Sequence, residues 1–100
     1  MQVLFKGNPV TLQGHHIEVG ESVPDFKAVN RNLETVDSSS FTGKRIFVSV
    51  PSVDTPVCDV EVRRFNEEAT KHPDVKVYII SMDLPFAQGR WCGAAGVSGV

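Results

Sequence analysis

Two runs of β-branched and aromatic residues, separated by one long amphipathic segment, dominate the hydrophobic pattern of this chain. The first run covers residues 45–50 and the second covers residues 75–81. The first lacks strict alternation of apolar and polar positions, which is typical of a strand covered on both faces. The segment between them, from about residue 56 to residue 71, has apolar residues at helical spacing. Strand, helix and strand at these lengths predict a right-handed parallel crossover.

The predicted crossover helix has a narrow apolar stripe. Its apolar positions follow an i, i+3, i+7 spacing at Val62, Phe65 and Ala69, and the charged residues fall elsewhere on the helix. Residues 72–74, His-Pro-Asp, stop it. We therefore expect this helix to pack one face against the strands.

A second helix is predicted from Pro85 to about Ala95, with Asp83 able to cap it. Gly89, Gly93 and Gly96 weaken this segment, because each glycine costs up to about 1 kcal/mol relative to alanine in a helix. We therefore expect it to be the less stable of the two helices.

The amino-terminal part of the chain predicts a hairpin. Residues 3–5 and 10–12 are apolar runs that flank the turn residues 7–9. Residues 23–26 begin an extended stretch, because the residue before a proline is pushed out of the helical region. Residues 38–44 predict a turn or one helical turn before the first buried strand. No repeats or low-complexity tracts are present, so residues 1–100 are predicted to form one domain.

Composition favours a soluble globular domain. The chain has 41% hydrophobic residues, 22% charged residues and a formal net charge of −2, which argues against disorder, a nucleic-acid-binding patch or a membrane-binding surface. No apolar stretch is long enough to span a membrane, and the amino terminus lacks the basic and apolar regions of a secretory signal. The default expectation is the cytoplasm, with the periplasm left open.

The richest chemical signal is the run at residues 51–58, spaced Pro-x-x-x-Thr-x-x-Cys. Thr55 is a good N-cap and Pro56 suits the first helical position, so Cys58 falls at the third position of the predicted helix. Unpaired backbone N–H groups and the positive end of the helix dipole stabilise a thiolate there, and the thiolate is the nucleophilic form of cysteine. The alternative is that Cys58 is a small buried hydrophobic residue.

Zinc binding is a weaker interpretation of the two cysteines. The only histidines are His15, His16 and His72, and none lies within a few residues of Cys58 or Cys92. Two cysteines are also too few for a disulfide scaffold. We therefore predict no metal and no cofactor.

The run at residues 51–58 resembles the peroxidatic motif of the peroxiredoxins. Its surroundings, residues 50–59 and 63–68, resemble the bacterial thiol peroxidase branch of that family. Further matching segments lie in order along the chain, so that the resemblance covers essentially all 100 residues. These segments are residues 7–10, 23–26, 81–88 and 90–92.

The resemblance implies an α/β thioredoxin-like (peroxiredoxin) fold with an N-terminal hairpin. It further implies a peroxidase that reduces hydrogen peroxide and organic hydroperoxides, with thioredoxin as reductant and a homodimer as assembly. Cys58 would be the peroxidatic cysteine and Cys92 the resolving cysteine, joined in an intramolecular disulfide, as in the atypical two-cysteine scheme. Thr55 would orient the peroxide and Pro51 would shield the thiolate. The alternative for Cys92 is simple packing beside Trp91.

Chains of the resembled family continue beyond the position that matches Val100, so we expect a truncated chain without the last strands and helix. The resemblance also implies an active-site arginine from a later strand. Within the predicted helix, Arg63 lies about 140° around the axis from Cys58 and Arg64 about 120° the other way, so neither shares its face, while Arg90 is a conceivable local substitute.

Two other functions stay open. One is a thioredoxin-type disulfide oxidoreductase, which is weakened because Thr55 stands where a Cys-x-x-Cys motif would have its first cysteine. The other is a redox sensor or inactive fragment whose thiols oxidise without turnover.

Overall fold

The computed structural model describes residues 1–100 and contains six strands and two α-helices. Neither helix has the length and apolar character needed to span a membrane. The two strands and two helices predicted after residue 44 are confirmed. The first of these strands begins one residue earlier than expected. In chain order the elements are β1 (Gln2–Phe5), β2 (Asn8–Thr11), β3 (Lys27–Val29), β4 (Thr35–Asp37), a 3-10 turn at Ser38–Ser40, β5 (Lys44–Val50), α1 (Pro56–Lys71), β6 (Val75–Ser81) and α2 (Pro85–Ala95).

The centre of the fold is the parallel pair of β5 and β6, which run in register from Lys44 beside Val75 to Val50 beside Ser81. Parallel neighbours need a long crossover connection, and α1 provides it. The predicted parallel arrangement of these strands is therefore confirmed.

One face of this pair carries the hydrophobic core. Side chains alternate between the two faces of a strand, so every second residue of β5 and β6 points toward this core. Phe65 and Ala69 of α1 and Trp91 of α2 pack against it, so both helices contact the same cluster. The stripe predicted for α1 is thereby confirmed. The five buried core residues are all valines: Val48, Val50, Val53, Val62 and Val77.

The opposite face is covered by aromatic rings. Phe47 of β5 and Tyr78 of β6 are register partners, and rings from the preceding segment cover them. Phe41 stacks on Tyr78 with centroids 4.2 Å apart, and Phe26 meets Phe47 edge-on at 5.4 Å. The prediction that β5 is covered on both faces is confirmed in its middle, whereas Ser49 stays exposed.

The amino-terminal hairpin is confirmed, with a shorter turn than predicted. β1 and β2 pair antiparallel, and Phe5 lies opposite Asn8. The turn is therefore Lys6 and Gly7, whose φ values are 51° and 80°. Positive φ at both central residues is typical of the two-residue turns that match strand twist. Asn8, which we placed in the turn, instead begins β2.

Helix α2 ends at Ala95, just before Gly96, which corrects one expectation about its glycines. Gly96 lies beyond the helix with φ 68°, in the left-handed conformation that glycine adopts without steric cost. The carbonyl oxygen of Cys92 accepts hydrogen bonds from the N–H groups of Gly96 and Val97. Gly96 is thus a stop signal, and only Gly89 and Gly93 weaken the helix itself.

Candidate active site

Cys58 occupies the predicted place at the start of α1. Thr55 is the N-cap residue with extended dihedral angles, φ −77° and ψ 145°, and Pro56 is the first helical residue. Cys58 therefore stands at the third position, a short loop beyond the carboxyl end of β5. The side chain is half-buried and packs against the valine core. The sulfur thus combines some core packing with partial access to solvent.

Thr55 does not cap α1 with its side chain, which corrects the prediction of a side-chain cap. Its Oγ1 instead donates to the carbonyl oxygen of Ser52 at 3.1 Å, while its own carbonyl oxygen accepts from the N–H of Asp59 at 2.9 Å. The side chain of Thr55 therefore leaves the N–H groups of the first turn free. Since the single hydroxyl proton is engaged, Oγ1 can meet a further ligand only as an acceptor.

The loop that contains Pro51 is tied to the loop after β6. Asp83 accepts from the Ser52 hydroxyl at 2.7 Å and from the Val53 N–H at 2.9 Å. The N–H of Met82 donates to the Pro51 carbonyl oxygen at 3.3 Å. Hydrogen bonds from Ser52 and then Val53 lower the pKa of Asp83 below its ordinary value of 3.8. These bonds hold the segment before Cys58 in a fixed conformation.

Asp83 therefore has a different role from the predicted one. The N-cap of α2 is Leu84, and no side chain caps this helix. The carboxylate joins two loops instead of capping the helix that follows it. A sequence does not show this, because the bonds span residues about thirty positions apart.

Cys92 lies in α2, half-buried, with a free thiol like that of Cys58. It lines a groove of about 550 Å³ together with Val53, Val62 and Val77 of the core. Trp91 beside it packs against the same core as Cys58. Cys58 and the residue before Cys92 therefore contact the same core on one side of the sheet.

An interhelix cluster of Asp59, Arg63 and Trp91 connects the two cysteine-bearing segments. Asp59 accepts from the Arg63 guanidinium and, at 3.1 Å, from the indole Nε1–H of Trp91. The Arg63 guanidinium lies over the Trp91 ring, 5.4 Å from its centroid. The hydrogen bond from Arg63, and then that from Trp91, lowers the pKa of Asp59 below 3.8. The neighbour of Cys58 thus contacts the neighbour of Cys92.

Sequence reasoning did not identify the interhelix cluster. The negative charge of Asp59, beside Cys58 in the sequence, is compensated by Arg63. The i, i+4 spacing of Asp59 and Arg63 was a usable signal for their ion pair. The contact with Trp91 had no local signal, because it joins two different helices.

The other positive and metal-binding candidates lie apart from this cluster. Arg64 pairs with Glu67 at 3.1 Å and with Glu68 at 3.9 Å, and Arg90 is exposed. His15 contacts Glu21 at 2.8 Å. No group of three or more His, Cys, Asp or Glu side chains is arranged to hold a metal ion.

A parallel β-α-β unit with a half-buried cysteine in the first turn of its crossover helix defines a thioredoxin-like protein with a candidate reactive thiol. Comparison with known families agrees with this class. The sequence profile of the redoxin family matches residues 18–100. The chain belongs to the redoxin family and has its thioredoxin-like fold.

Two curated relatives are named thiol peroxidases. The chain is 56% identical to the thiol peroxidase of Clostridium acetobutylicum over 100 residues, which are 100% of this chain and 61% of that protein. It is 53% identical to the thiol peroxidase of Bacillus subtilis over 100 residues, covering 99% of this chain and 60% of that protein. The chain therefore spans about three fifths of the length of these relatives.

Solved structures show the same likeness. A peroxiredoxin-like protein from Aquifex aeolicus superimposes with a TM-score of 0.88 at 39% identity, over 99% of this chain and 58% of that one. A thiol peroxidase from Chromobacterium violaceum gives a TM-score of 0.80 at 20% identity, over 96% of this chain and 57% of that one. The second match concerns the fold alone.

Proposed function

We propose that this protein acts as a thiol-dependent peroxidase on hydrogen peroxide and organic hydroperoxides. The observation that carries the proposal is the half-buried Cys58 at the third position of α1. Its N-cap Thr55 offers an acceptor oxygen and leaves the first-turn N–H groups free. The similarity to proteins named thiol peroxidases supports the same activity.

In the first step, the Cys58 thiolate attacks one oxygen of a hydroperoxide ROOH. A sulfur–oxygen bond forms and the O–O bond breaks, so that Cys58–S⁻ + ROOH + H⁺ gives Cys58–SOH + ROH. The sulfur is oxidised by two electrons and the peroxide is reduced by two. Backbone N–H groups near Val57 and Cys58 stabilise the charge that develops on the leaving oxygen.

Thr55 and Pro51 position the peroxide. The Thr55 hydroxyl donates its hydrogen bond to the Ser52 carbonyl oxygen, so Oγ1 accepts from the peroxide O–H and orients the reacting oxygen toward Cys58. Pro51 shields the thiolate from water, and the bond from Met82 to its carbonyl oxygen supports its place. The peroxide is thus held before the sulfur attacks.

In the second step, Cys92 resolves the sulfenic acid. The Cys92 sulfur attacks the Cys58 sulfur, so that Cys58–SOH + HS–Cys92 gives an intramolecular disulfide and water. A disulfide requires the two Cα atoms to come within about 7 Å with suitable side-chain directions. Both cysteines lie inside helices, so we expect one helical turn to unwind. Thioredoxin, a dithiol, then reduces the disulfide to two thiols by exchange and is itself oxidised to its disulfide.

The surface near the candidate site supports protein partners. The amino-terminal part of α1, the loop after β6 and the first turn of α2 expose large apolar side chains, which are common at protein contacts. We propose that the protein forms a homodimer, meets thioredoxin and works in the cytoplasm. The exposed apolar residues are Val57, Val60, Met82, Leu84 and Phe86.

Peroxide consumption driven by thioredoxin and its reductase tests the proposal. Cys58→Ser should abolish consumption, because the attacking sulfur is gone. Cys92→Ser should permit one turnover and then overoxidation of Cys58 to the sulfinic acid, which intact mass detects. Equal multi-turnover rates in Cys92→Ser and the unmodified protein would remove Cys92 from the mechanism.

The same assay separates the alternatives. Oxidation of Cys58 by peroxide without repeated turnover would indicate a redox sensor or an inactive fragment. In a separate assay without thioredoxin or peroxide, faster reduction of insulin disulfides by dithiothreitol in the presence of this protein would indicate a thioredoxin-type oxidoreductase.

A further inference from the structure

We infer that Asp59 is a positioning residue whose interhelix cluster with Arg63 and Trp91 holds the protein in its dithiol conformation and so disfavours the Cys58–Cys92 disulfide. The inference rests on the proposed function, because it assumes that this disulfide forms. It assigns a role in the redox equilibrium to residues that do not touch the reacting sulfurs.

The first step of the argument is where the interhelix cluster is anchored. Asp59 lies in the first turn of α1, directly after Cys58. Trp91 directly precedes Cys92 in α2. The hydrogen bond of 3.1 Å between Asp59 and Trp91 therefore joins the two turns that contain the cysteines. Any movement of either turn moves one end of that bond.

The second step is that the disulfide needs such a movement. If the first turn of α1 unwinds, the ion pair between Asp59 and Arg63 is lost, because an i, i+4 contact requires an intact helix. If the turn at Cys92 unwinds, Trp91 leaves both Asp59 and the Arg63 guanidinium. Either route breaks the interhelix cluster. Contacts present only in the dithiol form stabilise that form relative to the disulfide.

The third step is that α2 has few other anchors against unwinding, of which one is the bond from the Gln88 amide to the Ser81 hydroxyl at 2.9 Å. It has no fully buried residue and no side-chain cap, and its interior contains Gly89 and Gly93. The indole of Trp91 is the side chain of α2 that both packs on the valine core and bonds to α1. The interhelix cluster therefore controls a large share of the cost of moving Cys92.

The test is the thiol–disulfide equilibrium of the purified protein with dithiothreitol. The protein dithiol loses two electrons and two protons to oxidised dithiothreitol, giving the protein disulfide and reduced dithiothreitol. Acid quenching, alkylation of free thiols and intact mass give the two protein populations. We compare the unmodified protein with Asp59→Asn and Trp91→Phe, which remove the acceptor charge and the indole donor.

We expect Asp59→Asn to shift the equilibrium toward the disulfide by about fivefold and Trp91→Phe by about threefold, as for the loss of one modest net hydrogen bond. The double variant should shift it by no more than about fivefold, because both changes weaken the same contact between Asp59 and Trp91. Glu67→Gln is the matched control, since it removes an exposed ion pair whose two partners, Glu67 and Arg64, both lie on α1. We expect that control to leave the equilibrium unchanged.

The redox equilibrium separates positioning from general destabilisation. A change that weakens the whole fold acts equally on the dithiol and disulfide forms, so their ratio stays constant. Unchanged ratios in folded Asp59→Asn and Trp91→Phe would overturn the inference and leave the peroxidase proposal intact. A shift toward the dithiol would also overturn it. Failure of the unmodified protein to form any intramolecular disulfide would overturn both the resolving step and this inference.

Discussion

Helices α1 and α2 begin alike and are anchored very differently. Each has proline in its first turn, an N-cap residue whose side chain does not cap the helix, and one of the two cysteines. Over its 16 residues α1 buries Val62 to 2% exposure and packs Phe65 and Ala69 on the core. The 11 residues of α2 contain no fully buried side chain. Cys58 therefore lies on a firmly held helix, and Cys92 lies on one that can move at lower cost.

The largest expected effect is on the anchoring of α1. Val62→Ala removes two methyl groups from the tightest part of the core, and we expect it to lower the free energy of unfolding by about 2.5 kcal/mol. Urea unfolding followed by circular dichroism measures the loss. The matched change in α2 is Phe86→Ala, whose side chain is 66% exposed, and it should cost well under half as much. Equal losses in the two variants would end the distinction between the helices.

The next effect comes from the glycines of α2. A Cβ atom added at Gly89 or Gly93 meets nothing within 4 Å, so Gly→Ala at each position should stabilise α2 by about 0.7 kcal/mol. Amide hydrogen exchange should slow in α2 and stay unchanged in α1. Gly96→Ala is the control, because its φ of 68° disfavours alanine, and it should destabilise. Faster exchange in the Gly89 or Gly93 variants would contradict the idea that backbone freedom weakens α2.

A smaller effect is expected on stability when acid protonates Asp59. The folded-state pKa of Asp59 lies below 3.8 because Arg63 and Trp91 donate to the carboxylate. A lowered pKa adds stability above the unfolded-state pKa, near pH 4, and that stability is lost as the pH falls through the folded-state value. The stability difference between the unmodified protein and Asp59→Asn should therefore shrink from pH 5 to pH 3. Asp37 and Asp83 titrate in both proteins, so the comparison cancels them. A difference that grows on acidification would contradict the assignment.

The smallest expected effect concerns the exposed ion pairs of α1. Arg64, whose side chain is 66% exposed, pairs with Glu67 and Glu68. Exposed pairs are screened by water and salt, so Arg64→Gln should change the free energy of unfolding by less than about 0.5 kcal/mol. A larger loss in urea unfolding would mean that α1 depends on charge as well as on its apolar stripe.

The sequence was informative wherever a local pattern decided the structure. The Thr55-Pro56 start and the stop at residues 72–74 predicted the bounds of α1, its apolar stripe predicted the packed face, and the apolar runs predicted β5 and β6. The short hairpin of β3 and β4 was not predicted, because three-residue strands offer too few positions for alternation to show. The place of Cys58 followed from the same helix start.

What the sequence could not give were contacts between distant residues. Asp83 looked like a helix cap, because capping depends only on neighbours, yet Ser52 and Val53 compete for its carboxylate across the fold. Thr55 looked like a cap for the same reason, and Ser52 engages it instead. The contact of Asp59 with Trp91 likewise depends on how α2 packs on α1. Polar side chains with several partners within reach are decided by tertiary structure.

Trp91 also has an optical consequence. It is the sole tryptophan of the chain, so the ultraviolet emission of the protein originates from a single indole lodged between a carboxylate and a guanidinium. Any excursion of that ring into water should displace the emission maximum to longer wavelength. Stopped-flow mixing with peroxide would then follow the conformational step in real time, without any dye or label.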